Sequence, residues 1–245
     1  MKSKSSKGMD RIKHYSDLIS QIDVMSQPAI RVGGRWKKYG NDIVKKILEG
    51  NTPILISRAD LKKEQNSAEK IVKTLMWGYN NGGRGDNVES ILNALPEVYE
   101  ALNEKFSIDY KIEYKDVGEL QDKLKRDDGC KIGRSTFSKL LYFWGYTIGG
   151  YPAIIIDDNV GLAASMFHEF NKLKPTSDYE ESIKIFHEVA RELQLAPQDY
   201  AKLEYFLFLL GKTLKSLHSE IRRCTRECVL KTLSDISASI MKNKQ

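Results

Sequence analysis

Apolar residues return at steps of three and four through almost the whole chain, and that period commits it to helices. Residues 14–25 put Tyr15, Leu18, Ile19 and Ile22 on one face, and residues 41–49 put Ile43, Val44, Ile47 and Leu48 on one face before Gly50. The same spacing predicts helices over 67–78, 88–105, 117–126, 136–144, 159–172 and 179–195. Ser67 is the expected cap at 67–78, with Lys70 where a full capping box needs Glu. Pro96 kinks or splits 88–105. Pro197 opens a last long helix at its first turn, with Gly211 as its candidate break. On that helix Leu210, Leu214, Leu217, Ile221, Cys224 and Cys228 form one apolar stripe, so both cysteines read as core. Lys215, Arg222 and Arg226 lie on another face, as solvated charge or as a surface for phosphates. Extended signals are few: Ile54–Ile56, 108–114 and 153–156. The expectation is a mostly α fold with one small strand pair.

Composition narrows the function classes. Of 245 residues, 41% are apolar, enough for a core, but no run approaches the roughly 20 apolar residues of a membrane helix. Lys and Arg number 39 against 33 Asp and Glu, a mild excess of +6 that permits a polyanionic partner. Three cysteines exclude a disulfide scaffold, and the four clustered cysteines of an iron–sulfur site are absent. His14, His168, His187 and His218 have no metal spacing. A reduced, cytoplasmic protein without metal or cofactor is expected. Residues 1–13 form a basic flexible tail whose charge is followed by no apolar secretion signal.

Residues 133–164 carry the chemistry. Lys139 opens an apolar helix, and eighteen positions later Asp157 ends the run Ile154-Ile155-Ile156 and opens another. Burial disfavours an ammonium, and so does the positive end of a helix, which can make a lysine a nucleophile. Taken alone, Lys139 also reads as a surface lysine with a buried stem, and Asp157 as a helix N-cap.

Together the two resemble the helix-hairpin-helix DNA glycosylases, the superfamily of endonuclease III and 8-oxoguanine DNA glycosylase. There a catalytic lysine starts the second hairpin helix, and a Gly-Trp-Pro segment leads to an aspartate. Gly150-Tyr151-Pro152-Ala153-Ile154-Ile155-Ile156-Asp157 is similar to that segment. The resemblance implies Lys139 as nucleophile and Asp157 as the carboxylate. It departs at the hairpin, where Arg134-Ser135-Thr136-Phe137-Ser138 stands for the usual Leu-Pro-Gly-Val-Gly. Ser135, Thr136 and Ser138 are then candidate phosphate donors in place of backbone N–H groups. Asn159 follows Asp157 as a further candidate.

A second segment runs Lys73-Thr-Leu-Met-Trp77-Gly78-Tyr79-Asn80-Asn81-Gly82-Gly83-Arg84-Gly85. It resembles a stretch of compact bacterial proteins with an 8-oxoguanine-glycosylase fold, some of them in anti-phage systems. One such glycosylase removes glucosylated hydroxymethylcytosine from T-even phage DNA. A base-flipping enzyme needs a loop that approaches the duplex and side chains to fill the gap. Asn80, Asn81 and Arg84 among glycines suit this, and an ordinary helix cap and turn is the plainer reading. Trp77, Tyr79, Trp144 and Tyr146 are either core or a stacking surface for an extruded base. Gly33 to Lys38 is a further basic, aromatic stretch.

The resemblance implies a two-lobed helical glycosylase fold over 14–245, two intertwined subdomains with a cleft between, acting as a monomer. The implied function is excision of a modified base from double-stranded DNA, in defence against α-glucosyl-hydroxymethylcytosine DNA. The alternatives are an 8-oxoguanine-type repair glycosylase with AP lyase activity, a non-catalytic DNA-binding module and a helical interaction protein.

Overall fold

Helices form over most of the runs that carry the apolar period, and capping residues and proline mark several of their ends. The computed structural model describes residues 11–49, 53–83, 86–103, 110–125, 132–174 and 177–220. In chain order these give α1 (Ser16–Ser20), β1 (Ile30–Val32), α2 (Asp42–Leu48), β2 (Ile54–Ile56), α3 (Arg58–Lys63), α4 (Ser67–Gly78), α5 (Asn87–Asn93) and α6 (Leu95–Asn103). Then follow β3 (Lys111–Ile112), α7 (Tyr114–Lys125), α8 (Arg134–Trp144), β4 (Thr147–Ile148), β5 (Tyr151–Pro152), α9 (Asp158–Ala164), α10 (Tyr179–Glu192) and α11 (Tyr200–Glu220). The fold is mostly α, as the period predicts. Residues 1–10 of the basic tail, Arg84, Cys130 and the stripe from Ile221 to Cys228 lie outside the described residues; the expected tail runs too far, since Ile12 is fully buried in a 3-10 turn, Ile12–Tyr15. No described helix is long and apolar enough to cross a membrane.

The chain divides into two compact units, the larger comprising Asp23–Ile156 and Asp178–Lys184. At its centre α4 buries Ile71, Val72, Leu75 and Met76 and packs against α2, α3, α6 and α8. Its cap is Asn66 rather than Ser67: the Asn66 side chain accepts from the Glu69 N–H at 3.0 Å. Pro96 splits the long predicted helix, because it falls at the second residue of α6, where its missing N–H costs nothing. In α8 every side chain from Thr136 to Trp144 is buried. Its C-cap is Gly145, whose φ of 86° closes the helix in the left-handed conformation.

Two small sheets complete this unit. β1 and β2 pair antiparallel, with Ile30 opposite Ile56 and Val32 opposite Ile54. In the second sheet β4 pairs parallel with β3 and antiparallel with β5. The expected strand at 153–156 is absent. The four residues are at most 2% exposed but belong to no described strand. Their backbone is satisfied elsewhere: the Ala153 N–H donates to Tyr146 O (2.8 Å), the Ile156 N–H donates to Ser138 Oγ (3.1 Å), and Ile154 O accepts from the Tyr179 hydroxyl (2.9 Å).

The second unit comprises Met1–Ile22, Asp157–Ser177 and Ile185–Gln245. Here α9 packs on α11. Gly211 does not break α11; it permits the contact, since a Cβ there would stand 2.0 Å from the carbonyl oxygen of Asn159. The helix predicted over 14–25 is shorter than its period, with 3-10 turns at Ile12–Tyr15 and Val24–Ser26 around the five residues of α1. Tyr15 still turns inward, onto Phe167 and Phe206. The run predicted over 159–172 ends at Ala164 and resumes as a 3-10 turn, His168–Phe170.

Candidate active site

Helix α8 starts at Arg134, two residues before the predicted start, which puts Lys139 in its second turn. Helical side chains lean toward the N-terminus, so residue i reaches residue i−4. Lys139 does so: its Nζ donates to Ser135 Oγ at 2.6 Å and to Ser135 O at 3.2 Å. The residue is only 7% exposed. Its stem crosses the end of α4 at Gly78, where a Cβ would lie 3.2 Å from Lys139 Cδ and 3.4 Å from Cε. Gly78 is therefore part of the lysine's seat. The sequence alone assigns Gly78 no role, because only the fold brings residues 78 and 139 together.

The loop after α4 is tied on two sides. Toward α8, the Tyr79 hydroxyl and Thr136 Oγ1 are 2.7 Å apart. Toward the 3-10 turn Gly34–Lys38, Trp36 Nε1 donates to Tyr79 O (2.8 Å) and the Gly33 N–H donates to Asn80 O (3.1 Å). The Gly83 N–H donates to the hydroxyl of Tyr39 (3.2 Å). Gly82 has φ 81°, a conformation L side chains rarely adopt. Gly83 has no room for a side chain, since a Cβ would stand 2.3 Å from Val88 Cγ2. The amides of Asn80 and Asn81 have no side-chain hydrogen bond among the described residues, and Asn81 is exposed.

Asp157 is half-buried at the N-cap of α9. Its Oδ1 accepts from the N–H groups of Asn159 (2.9 Å) and Val160 (3.1 Å). Its Oδ2 makes no hydrogen bond among the described residues. The cap and a spare carboxylate oxygen thus coexist in one side chain. Asp157 and Asn159 belong to the second unit, Lys139 and the loop to the larger one.

Several expected ligand contacts are spent inside the protein. Trp77 is buried edge-on against Phe143, with ring centroids 5.4 Å apart and the Arg58 guanidinium 5.4 Å from its own ring. Trp144 is buried, with the Lys70 ammonium 5.4 Å from its ring. Tyr146 is 1% exposed and its hydroxyl donates to Leu102 O at 2.5 Å. Burial, with Tyr110 beside it, pushes that phenol well above its ordinary range. These three rings are core, and Tyr79, half-buried in the loop, is the one aromatic of the four left near a surface. Ser138 is fully buried, donating to Ser135 O (3.0 Å) and accepting from the Ile156 N–H, so it offers nothing to a phosphate. Thr136 is likewise buried and bonded to Tyr79. Ser135, half-buried, holds the lysine.

The model of the family described as "Putative 8-oxoguanine DNA glycosylase OGG-like protein" matches residues 23–208, well over half of the chain and all of the described site. No curated protein and no solved structure matches the chain.

Proposed function

This chain belongs to the 8-oxoguanine DNA glycosylase OGG-like family, and we propose that it turns a modified base out of double-stranded DNA and cleaves its N-glycosidic bond, leaving an abasic site. The observation that carries this reading is the setting of Lys139, a primary amine in a buried helix, gripped by Ser135 and laid across Gly78. An amine so seated has a fixed direction of attack, which is what nucleophilic catalysis requires.

In the proposed reaction, Lys139 Nζ bonds to the anomeric carbon as the bond to the base breaks, its electron pair leaving with the base. The transition state carries positive charge on the deoxyribose ring. Asp157 Oδ2 stabilises that charge, while Oδ1 holds the carboxylate to the start of α9. Ring opening gives a Schiff base, and β-elimination of the 3′ phosphate nicks the strand, an AP lyase step. Asn80, Asn81 and Arg84 fill the gap left by the extruded base, and Ser135 and Asn159 contact the substrate strand. Trp77, Trp144 and Tyr146 support these elements from the core.

The substrate we propose is α-glucosyl-hydroxymethylcytosine in phage DNA, excised by a cytoplasmic monomer in defence. It rests on the resemblance of residues 73–87 to the defence glycosylases. A second reading, repair of oxidised purines, is favoured by the family's description.

Borohydride trapping on end-labelled duplexes tests both. The protein is reduced in the presence of T-even phage DNA, 8-oxoguanine DNA or abasic DNA, and unreduced samples are heated in alkali. An adduct lost in Lys139→Ala is expected, and the duplex that reacts names the base. Alkali-sensitive sites without an adduct would leave a monofunctional glycosylase centred on Asp157. Binding with neither signal would leave a DNA-binding module.

A further inference from the structure

We infer that the 3-10 turn Gly34–Lys38 forms a clamp for a backbone phosphate of the DNA, a contact that fixes the register of the loop at residues 79–83. The inference rests on the glycosylase reading and adds a binding site to it.

The clamp follows from how the turn is anchored. Its Trp36 is fully buried and donates to Tyr79 O, and the Tyr39 that follows is buried and accepts from the Gly83 N–H. With both rings turned inward, Arg35, Lys37 and Lys38 are left exposed beside the loop. Between turn and loop lies an open concavity of about 520 Å³, lined by Gly34, Arg35, Lys38, Asn81, Gly82 and Gly83. Two cations, an amide and bare backbone line it, and among the described residues no carboxylate does.

Lys45 is paired with Asp42, Lys46 with Glu69, and Lys73 with Glu64 and Glu69. Arg35 and Lys38 have no carboxylate partner among the described residues. The Lys38 ammonium sits 4.7 Å from the centroid of the Tyr39 ring, which holds it near the concavity without neutralising it. Gly82 keeps that wall low: a Cβ there would meet Arg35 Cβ at 3.7 Å and Lys38 Cε at 3.9 Å. A site of donors and cations without an acid selects an anion, and a guanidinium with an ammonium suits a phosphodiester. Since turn and loop share three hydrogen bonds, a phosphate held here sets where Asn80 and Asn81 meet the helix. Phosphate contacts position a protein in just this way.

The test is the salt dependence of binding to an unmodified, fluorescently labelled DNA duplex, which involves no chemistry. Arg35→Ala with Lys38→Ala should weaken binding about tenfold and lower the slope of log affinity against log salt by about 1, the signature of one lost phosphate. The control is Lys45→Ala with Lys46→Ala, which removes the same net charge from cations already paired. Circular dichroism checks that both proteins fold. A control that weakens binding as much would reduce the effect to net charge and overturn the clamp. An unchanged slope in the Arg35/Lys38 variant, with wild type binding normally, would overturn it and leave the glycosylase reading standing. Wild type without affinity for the duplex would overturn both.

Discussion

The stem of Lys139 rests on the bare backbone of Gly78, close enough that one added carbon would stand 3.2 Å from Lys139 Cδ. Glycine in a helix end costs stability, and Ala would restore up to about 1 kcal/mol. Gly78→Ala should therefore hold or raise the thermal midpoint and, by shifting the amine a few tenths of an ångström, slow adduct formation about tenfold. Thermal melts and trapping rates on one preparation read both effects. A variant that traps at the wild-type rate would dissociate Gly78 from the seat of the lysine.

Asp157 separates capping from chemistry. Asn caps a helix as well as Asp does, so Asp157→Asn should keep the fold and lose excision by at least about a hundredfold. Asp157→Ala should lose excision and about 1 kcal/mol of stability besides. An Asn variant as active as wild type would leave Asp157 a cap and nothing more.

Ser138 should behave as a structural residue. Removing its hydroxyl leaves the buried Ile156 N–H without its 3.1 Å partner, a loss of about 1–3 kcal/mol. Chemical denaturation of Ser138→Ala should show this, with DNA affinity below the melting range unchanged. Weaker DNA binding at full stability would return Ser138 to the phosphate role that its position in the sequence suggests.

Gly211 is held to a glycine by space. A Cβ 2.0 Å from Asn159 O cannot be accommodated without moving α9 from α11. Gly211→Ala should cost about 1–3 kcal/mol despite alanine's better helix propensity. Unfolding in urea measures it, and a stabilised variant would contradict the packing described.

Lys62 gives the stability a pH dependence. Lys62 is exposed as a residue, but desolvation of its ammonium against Tyr142, with repulsion from Lys70 and Arg58, draws its amine down to about 8. Its Nζ sits 4.0 Å from the Tyr142 ring centroid and donates to Tyr142 O. In the unfolded chain a lysine titrates near ~10.4. Between those values the unfolded state binds more protons, so this group's contribution to stability rises with pH; below 8 its penalty is present in full. Lys62→Met should thus be more stable than wild type at pH 7, by a margin that closes toward pH 10. Tyr142 O keeps a bond from the Gly145 N–H in the variant. Melting curves across that range test the sign.

Helix content, the split at Pro96 and the cap at Asp157 were legible because each depends on local spacing or local chemistry. Less legible was anything set by what lies opposite. Ser67 and Asn66 are adjacent and both can cap; the backbone geometry chose Asn66. Gly211 looks like a breaker in sequence, and only α9 makes it a contact. Trp77, Trp144 and Tyr146 have the same composition as a stacking surface, and burial by Phe143, Lys70 and Leu102 decides against it. The basic stretch at Gly34–Lys38 was visible, but not that Trp36 and Tyr39 point inward and leave its cations outward.

The extended stretch from Ala153 to Ile156 has a consequence for how this chain can vary. A strand in a half-wet sheet has alternate positions free to mutate, while these four are enclosed on every side and bonded to two side-chain hydroxyls and a backbone carbonyl. No position in it offers neutral drift to a polar residue. Substitution there is confined to apolar side chains of matching volume, so the approach to Asp157 should be among the least mutable parts of the chain, for reasons of packing that apply whether or not the aspartate ever meets a base.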